Sequence, residues 1–313
     1  MRLDRGWLVP AWVVILAVAG CATARPATDP AASLASGGSA TLTSQALDMV
    51  TESGDWPATE DQLDAANDEV VTRCMTAHGL PFTGGLNRAV DNGNEPLIVG
   101  MAGRRAHGYG LDQAGSDASR PATAQDAYVA GLPAAARQHY LQVLFGSDAD
   151  RITVDIPGGG QATYPTEGCQ ASAIRALAGD INLWGLITYV PQELGNRLAD
   201  ELGSASGYQA ALASWRGCMA GRGMPYPDPD HALRALRAEY QTSGATSAVR
   251  GNEIATAVAD GECALRVHLP LAALTARRAL AAQLPVADRR RLVELAAART
   301  TAVARAVAIL QHH

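Results

Sequence analysis

The segment CMTAHGLPF, residues 74–82, recurs later in the chain as CMAGRGMPY, residues 218–226. We call these segments motif 1 and motif 2. Both contain Cys-Met, a glycine four residues after the methionine, and a Pro-aromatic ending. Chance agreement of this kind is improbable in a chain with 5 Cys, 6 Met and 5% aromatic residues. The repeat therefore predicts a duplicated structural unit.

Each motif is expected to end a helix. Its glycine suits the left-handed conformation at a helix C-terminus, and the proline two residues later prevents the helix from continuing. Thr59 with Gln62 has the spacing of a capping box and predicts where the first helix begins. Ser206 with Gln209 predicts the start of the second helix in the same way. Apolar residues at helical spacing lead up to each cysteine, so both motif cysteines are expected to face the interior.

The N-terminus has the pattern of an exported protein. Arg2 and Arg5 precede an apolar run over residues 7–19, which is too short for a membrane span of about 20 residues. The run ends in LAVAGC, residues 16–21, which resembles the bacterial lipobox, whose cysteine is acylated by chains such as palmitate. We therefore expect residues 1–20 to be a lipoprotein signal peptide and Cys21 to anchor the chain on the extracytoplasmic face of the cell membrane. Residues 21–45, poor in large apolar side chains, are expected to be a disordered tether.

Four cysteines remain once Cys21 carries lipid, and in an exported chain they are expected to form disulfides. Four cysteines allow three connectivities. Each motif is followed by one further cysteine in an Ala-rich stretch, so the duplication favours Cys74 with Cys169 and Cys218 with Cys263. A redox-active pair is the competing interpretation, and the absence of any Cys-x-x-Cys spacing argues against it.

The composition and local patterns predict a mainly α fold. Hydrophobic residues make up 48% of the 313 positions, but aromatic residues are scarce, which favours closely packed helices with small side chains. Alternation at Ile152, Val154 and Ile156 before the glycines at 158–160 predicts one small β-hairpin. We expect disulfide-stapled, helix-rich units at 46–203 and 204–313, with a helix interruption at Pro191 and a polar linker at 241–251.

Several functional classes are disfavoured by the sequence. A formal charge of −6 argues against nucleic-acid binding, and the absence of lysine excludes a phosphate-binding loop of the Gly-Lys-Ser/Thr type. The histidines are scattered without a metal-binding spacing, so neither a metal nor another cofactor is predicted. Asp228 is better explained as a helix cap before Pro229 than as a metal ligand. Residues 289–291, all arginine, are expected to form a solvated face.

A further set of short segments is spread over most of the mature chain: Tyr109-Gly110, Ala127-Tyr128, residues 141–146 and 154–160, Gly168-Cys169, Gly179-Asp180, Trp215 with Cys218-Met219, and residues 253–260 with Cys263. In these segments the chain resembles a group of uncharacterised actinobacterial exported lipoproteins. The resemblance implies a helix-rich, disulfide-stapled extracytoplasmic domain tethered to the cell membrane, and it carries no known activity. The sequence departs from the expected pattern at 261–263, where a small or apolar residue more commonly precedes the cysteine.

The sequence thus predicts a non-enzymatic binding or structural component of the cell envelope. Its expected partner, apart from the membrane, is another envelope protein or a wall polymer. The predicted contact is the long Gly-rich connection over residues 86–115, because recognition residues often lie on loops held by a rigid scaffold. The alternative is a wall-active hydrolase whose carboxylates, such as Glu167 and Asp228, converge only in the fold. The candidate partner-binding residues are Arg104, Arg105, His107 and Tyr109.

Overall fold

The computed structural model describes residues 41–85, 100–111 and 124–311. Within these residues the predicted mainly α fold with one hairpin is confirmed. The predicted signal peptide, Cys21 and most of the tether lie outside the described residues. The helices are α1 (Ser44–Thr51), α2 (Trp56–Ala77), α3 (Met101–His107), α4 (Ala124–Gly131), α5 (Ala134–Phe145), α6 (Gly168–Ala178), α7 (Ile181–Glu201), α8 (Ser206–Ala220), α9 (Pro229–Ser243), α10 (Ser247–Arg266), α11 (Leu269–Ala281) and α12 (Val286–Gln311), and the strands are β1 (Arg151–Ile156) and β2 (Gly160–Pro165).

Two disulfides join the pairs of cysteines that the duplication favours. Cys74 at the end of α2 is bonded to Cys169 in the first turn of α6, with their Cα atoms 5.6 Å apart. Cys218 near the end of α8 is bonded to Cys263 near the end of α10, with a Cα separation of 5.7 Å. Each disulfide therefore fixes the last turns of a motif helix to a second helix.

The longest of these helices, α12, packs against α2, α6 and α7, which all precede position 203. Leu292 and Leu295 of α12 are buried in one apolar cluster with Leu63 of α2 and Leu194 of α7. This cluster includes residues from both sides of position 203, where the sequence analysis placed a unit boundary. The main core is consequently shared between the two halves of the sequence.

The predicted hairpin packs on α7. Its strands are antiparallel, with Ile152 opposite Tyr164 and Val154 opposite Ala162. Val154 and Ile156 are buried, as their period of two predicts. Gly185 of α7 permits this contact, because a Cβ at that position would lie 3.1 Å from Val154 Cγ1.

Both predicted capping boxes are wrong. Helix α2 begins at Trp56, and the Thr59 hydroxyl donates to the carbonyl of Asp55 instead of capping the helix. Pro57 fits the first turn, where its missing N–H has no intrahelical partner, and this favours the earlier start. Ala205 precedes α8 without a side-chain cap. The side chain of Gln209 donates to Gly203 O.

The chain is also helical at two predicted interruptions. Helix α7 continues through Pro191, which is buried, so tertiary contacts outweigh the loss of one N–H donor. The predicted linker at 241–251 is mostly helix. Helix α9 ends at Ser243, and Thr246 caps α10 through a hydrogen bond from the Val249 N–H.

The three consecutive arginines at the start of α12 do not form the free, solvated face that was expected. They are partly buried. The Arg289 guanidinium donates to the carbonyl oxygens of Ala282 and Leu284, both at 2.9 Å, and so satisfies groups at the end of α11. Arg291 pairs with Asp288 at 3.2 Å. Arg289 therefore joins the start of α12 to the end of α11.

Among residues 41–85, 100–111 and 124–311, no helix is both long enough and apolar enough to span a bilayer.

Candidate functional site

The two motifs form the same turn. In motif 1 the N–H of Leu80 donates to the carbonyl of Met75 at 2.9 Å, and in motif 2 the N–H of Met224 donates to the carbonyl of Met219 at 3.0 Å. The motif glycines have φ values of 71° and 78°. This combination is the Schellman helix ending, in which glycine avoids the Cβ clash of the left-handed region.

The methionine of each motif, and not its cysteine, faces the core most completely. Met75 and Met219 have no exposed surface, whereas both motif cysteines are partly exposed. The expectation that these cysteines face the interior is therefore only partly correct. The buried stripe is displaced by one residue, so that the disulfide lies at the edge of the helix contact and the methionine fills its centre.

The two units differ one turn before the methionine. Val71 of the first unit packs with Phe82, Tyr140 and Leu144 in an apolar cluster. The equivalent residue of the second unit is Trp215, whose indole N–H donates to Asp260 Oδ1 at 2.9 Å. The second unit is therefore joined to a buried polar network that α10 provides.

Asp260 is the first acidic centre of this network and is only 3% exposed. Its Oδ2 atom accepts hydrogen bonds from Arg104 Nη1 at 2.7 Å and from the Tyr109 hydroxyl at 2.9 Å. The indole N–H of Trp215 donates to the other oxygen, Oδ1, so the carboxylate accepts three hydrogen bonds. A buried ion pair is tolerated when further hydrogen bonds offset the loss of hydration, and Asp260 meets that condition.

Glu253 is the second acidic centre and has no exposed surface. It lies seven residues before Asp260, so the two carboxylates are on the same face of α10. Its Oε1 accepts from the backbone N–H groups of Tyr109 and Leu111 at 2.8 and 2.9 Å, and its Oε2 accepts from the Tyr240 hydroxyl. The carboxylate thus holds the backbone of residues 109–111 directly against α10.

Gly108 allows the chain to approach Glu253 so closely. Its φ is 65°, and a Cβ there would lie 2.8 Å from Glu253 Cγ. Burial, followed by the negative charge of Asp260, raises the pKa of Tyr109 far above its usual value. The phenol therefore stays protonated and continues to donate to Asp260. We use the name α10 network for Arg104, Tyr109, Trp215, Tyr240, Glu253 and Asp260.

The α10 network holds α3 beside motif 2 and brings exposed arginines together. Glu262 Oε2 lies 2.7 Å from Arg222 Nη1, and its Oε1 lies 3.9 Å from Arg105 Nη2. The hydrogen bond from Arg222, with the charges of Arg222, Arg105 and Arg266, holds the pKa of Glu262 below its usual value. Three guanidinium groups against one carboxylate leave a net positive charge. We call these four residues the arginine surface.

The structure separates the four predicted partner-binding residues into two pairs. Arg104 and Tyr109 are buried in the α10 network, so in this conformation they position the segment and do not face solvent. Arg105 and His107 are exposed on α3. The remainder of the predicted contact, residues 86–99 and 112–115, lies outside the described residues. Of the predicted residues, Arg105 is the one that belongs to the arginine surface.

The sequence analysis did not predict the α10 network, although Glu253 and Asp260 offered a signal. Two carboxylates seven residues apart fall on one face of a helix, and here Ala257 lies between them on that face. Buried acidic side chains require donors, so this spacing could have predicted a polar cluster. Its donors Arg104 and Tyr109 lie about 150 residues earlier in the chain, and no local pattern identifies them.

The two carboxylates proposed for a hydrolase occupy separate helix starts. Glu167 is exposed and precedes α6 without capping it. Asp228 caps α9, as predicted, by accepting from the His231 N–H at 2.7 Å. In the part of the chain that the structure describes, no hydrogen bond or ion pair joins these two acids.

Burial disfavours the charged form of the Asp228 carboxylate, but hydrogen bonds from the backbone and ring of His231, with the charges of His231 and Arg234, outweigh this effect. Together they lower the pKa of Asp228. Its role as a helix cap accounts for this environment.

Two surface cavities lie away from the α10 network. One, of about 380 Å³, lies between the hairpin and α7 and is lined by residues such as Tyr189 and Glu193. The other, of about 170 Å³, contains Trp56 and Arg299, whose guanidinium carbon is 3.7 Å from the centre of the indole ring. Arg299 also donates to Thr59 and Glu60 there. Its polar groups are thus used within the protein.

One group of potential metal ligands occurs at motif 1. The ligand atoms of Cys74, His78 and Cys169 all lie within 4.8 Å of one another. In the oxidised protein the two sulfur atoms are bonded to each other and cannot form thiolates, so the imidazole of His78 is the one strong metal ligand of the three.

Comparisons of this chain with protein-family models, with curated proteins and with solved structures found no match.

Proposed function

We propose that this protein is a lipid-anchored extracytoplasmic component of the cell envelope that binds an anionic envelope partner and does not catalyse a reaction. The anchor is Cys21, and the arginine surface is the contact. The observation that carries the proposal is the rigid attachment of α3 to α10, which holds the exposed Arg105 beside Arg222.

The α10 network supports a structural role for its acids. Both oxygens of Glu253 and of Asp260 accept hydrogen bonds from this chain, and both side chains are buried. A general acid or base must reach a substrate proton, and these groups are directed at internal donors. They account instead for the position of Arg105, whose exposed side chain solvent and a partner can reach.

The charge of the arginine surface indicates the chemistry of its partner. Guanidinium groups bind carboxylate and phosphate groups in a bidentate manner, and both groups occur in anionic polymers and acidic proteins. The whole chain carries a formal charge of −6, so a locally positive surface stands out from the rest of the molecule. A partner held in this way should bind less tightly as the salt concentration rises.

The anchor is tested by metabolic labelling with a fatty acid. The wild-type chain should incorporate the label and fractionate with membranes, and the Cys21→Ser variant should lose both properties. Equal labelling of the two chains would contradict the anchor.

The contact is tested by in-cell photo-cross-linking from position 105. A photoreactive amino acid at that position should capture the same partner repeatedly, and R222E/R266E should weaken the capture. The matched control carries the same photoreactive group at Arg237, an exposed arginine of α9 outside the arginine surface. Capture of the same molecule from both positions would overturn the assignment.

A further inference from the structure

The two motifs differ at the fourth residue after the cysteine. In motif 1 this residue is His78, which is exposed at the end of α2. A spacing of four residues places Cys74 and His78 on the same side of the helix end, and Cys169 approaches them from α6. Two sulfur atoms and one imidazole nitrogen thus lie close together, with the imidazole on the solvent side.

Motif 2 has Arg222 at the equivalent position. Its guanidinium is paired with Glu262 at 2.7 Å, and a guanidinium does not ligate metals in proteins because it stays protonated. The chain therefore contains two similar disulfide turns, of which one has a potential third metal ligand and the other has a cation. This internal difference separates the two disulfides chemically.

We propose that reduction of the Cys74–Cys169 disulfide converts motif 1 into a zinc site formed by Cys74, Cys169 and His78. A dithiol reductant supplies two electrons and two protons, so the disulfide becomes two thiols and the dithiol becomes a disulfide. Zn²⁺ then binds the two sulfurs as thiolates, and their protons pass to solvent. The imidazole binds through a neutral ring nitrogen.

The surroundings suit a three-ligand site with an open fourth position. Cys169 is buried and Cys74 is partly buried, whereas His78 is exposed, so a water molecule can complete a tetrahedral sphere from the solvent side. Typical bonds are about 2.3 Å to sulfur and about 2.0 Å to nitrogen, so the sulfurs must separate after reduction while remaining close. No hydrogen bond to the His78 ring is recorded among the described residues, so the ring can turn towards the ion.

Helices α2 and α6 would hold the ligands in place without the disulfide. Met75 and Val71 of α2 and Ala173 of α6 are fully buried in the same apolar cluster as Cys169. Bound zinc would thus join the same two helices as the disulfide does. Motif 1 would remain linked in a reducing environment, whereas motif 2 would be left with two free thiols.

The experiment uses the mature chain carrying C218S/C263S, so that motif 1 provides the only cysteine pair. After reduction with a phosphine, Zn²⁺ is titrated against a chromophoric chelator, and the circular dichroism spectrum confirms that the chain is folded. We expect one Zn²⁺ per chain, and none before reduction. His78→Arg, which gives motif 1 the residue of motif 2, should weaken zinc binding on the order of 100-fold. Removal of groups outside the first coordination shell can already weaken metal binding by about this factor, and His78 is itself a proposed ligand.

Equal zinc affinity in the His78→Arg chain would overturn the proposal, as would the absence of zinc binding to the reduced, folded chain. If C218S/C263S does not fold, the same comparison is made between reduced wild type and His78→Arg. A C74S/C169S chain serves as the control there. Retention of the full zinc stoichiometry in C74S/C169S would also contradict the site.

Discussion

The two disulfide units have the same turn but different neighbours. In the first unit, Val71 and Met75 pack among apolar side chains from α5 and α6. In the second, Trp215 and Met219 lie beside α10, and the indole of Trp215 donates to the buried Asp260. The shared motif therefore determines the turn and the disulfide, whereas the residue one turn earlier determines whether the unit is purely apolar or connected to a polar network.

Removal of either disulfide should have the largest effect on stability, and the first should matter slightly more. The sequence separation is 95 residues for Cys74–Cys169 and 45 for Cys218–Cys263. A chain-entropy estimate gives about 4.7 and about 4 kcal/mol for loops of these lengths. Urea denaturation of C74S/C169S and C218S/C263S measures the two costs. A much greater cost for the second pair would show that loop length does not govern the difference.

Asp260→Asn should destabilise the second unit by about 3–5 kcal/mol, because it leaves Arg104 buried without its counterion. The side-chain NH₂ of the new asparagine would also face groups that themselves donate hydrogen bonds, so these groups would lose an acceptor. Urea denaturation gives the free energy of unfolding. The control in the helix of the first unit is Glu69→Gln, whose pair with Arg73 is exposed and should contribute only about 0.3–0.5 kcal/mol. Similar losses in both variants would contradict the contrast between the units.

Met75→Ala and Met219→Ala should each cost about 2–5 kcal/mol, since both side chains are completely buried. The two values should be similar, because the methionines are equally buried at the same place in the same turn. Denaturation of both variants under one set of conditions checks this. A cost below about 1 kcal/mol for either would show that its site collapses around the smaller residue.

Asp228→Ala, two residues after motif 2, should cost less than the losses of the disulfides, Asp260 and the methionines, about 1 kcal/mol at neutral pH. The folded pKa of this carboxyl is lowered, so its contribution is complete above the unfolded pKa of about 3.9 and disappears as pH falls through the lower folded value. Thermal denaturation at pH values from roughly 2 to roughly 7 should show that the stabilities of the wild type and the variant converge at acid pH. A difference that persists unchanged at the lowest pH would contradict a role for the charge.

Local patterns in the sequence predicted several features correctly because their causes are local. The alternation at 152–156 predicts the hairpin, and glycine followed by proline predicts each helix end. The disulfide pairing needed only the duplication. Even here, both capping boxes were wrong. Pro57 favours an earlier start for α2 than Thr59 predicts, and the side chain of Gln209 donates to the turn before α8 instead of capping it.

The candidate site was less predictable because its contacts are distant in sequence. Arg104 and Tyr109 appear as residues of a polar, Gly-rich connection, and only their contacts with α10 show that they are buried. The same limitation affected Arg289, whose acceptors are carbonyl groups at the end of another helix. Such polar side chains were expected to be exposed. They are buried or partly buried because carboxylate and carbonyl oxygens inside the protein accept their hydrogen bonds.

Binding of the mature chain to isolated cell envelopes, measured at low and at physiological salt, tests the arginine surface most directly. We expect R222E/R266E to bind more weakly, on the order of tenfold, and Arg237→Glu to bind like the wild type. Glu262→Gln should bind more tightly, because it removes the negative charge of the arginine surface. Equal losses for R222E/R266E and Arg237→Glu, or weaker binding by Glu262→Gln, would contradict it.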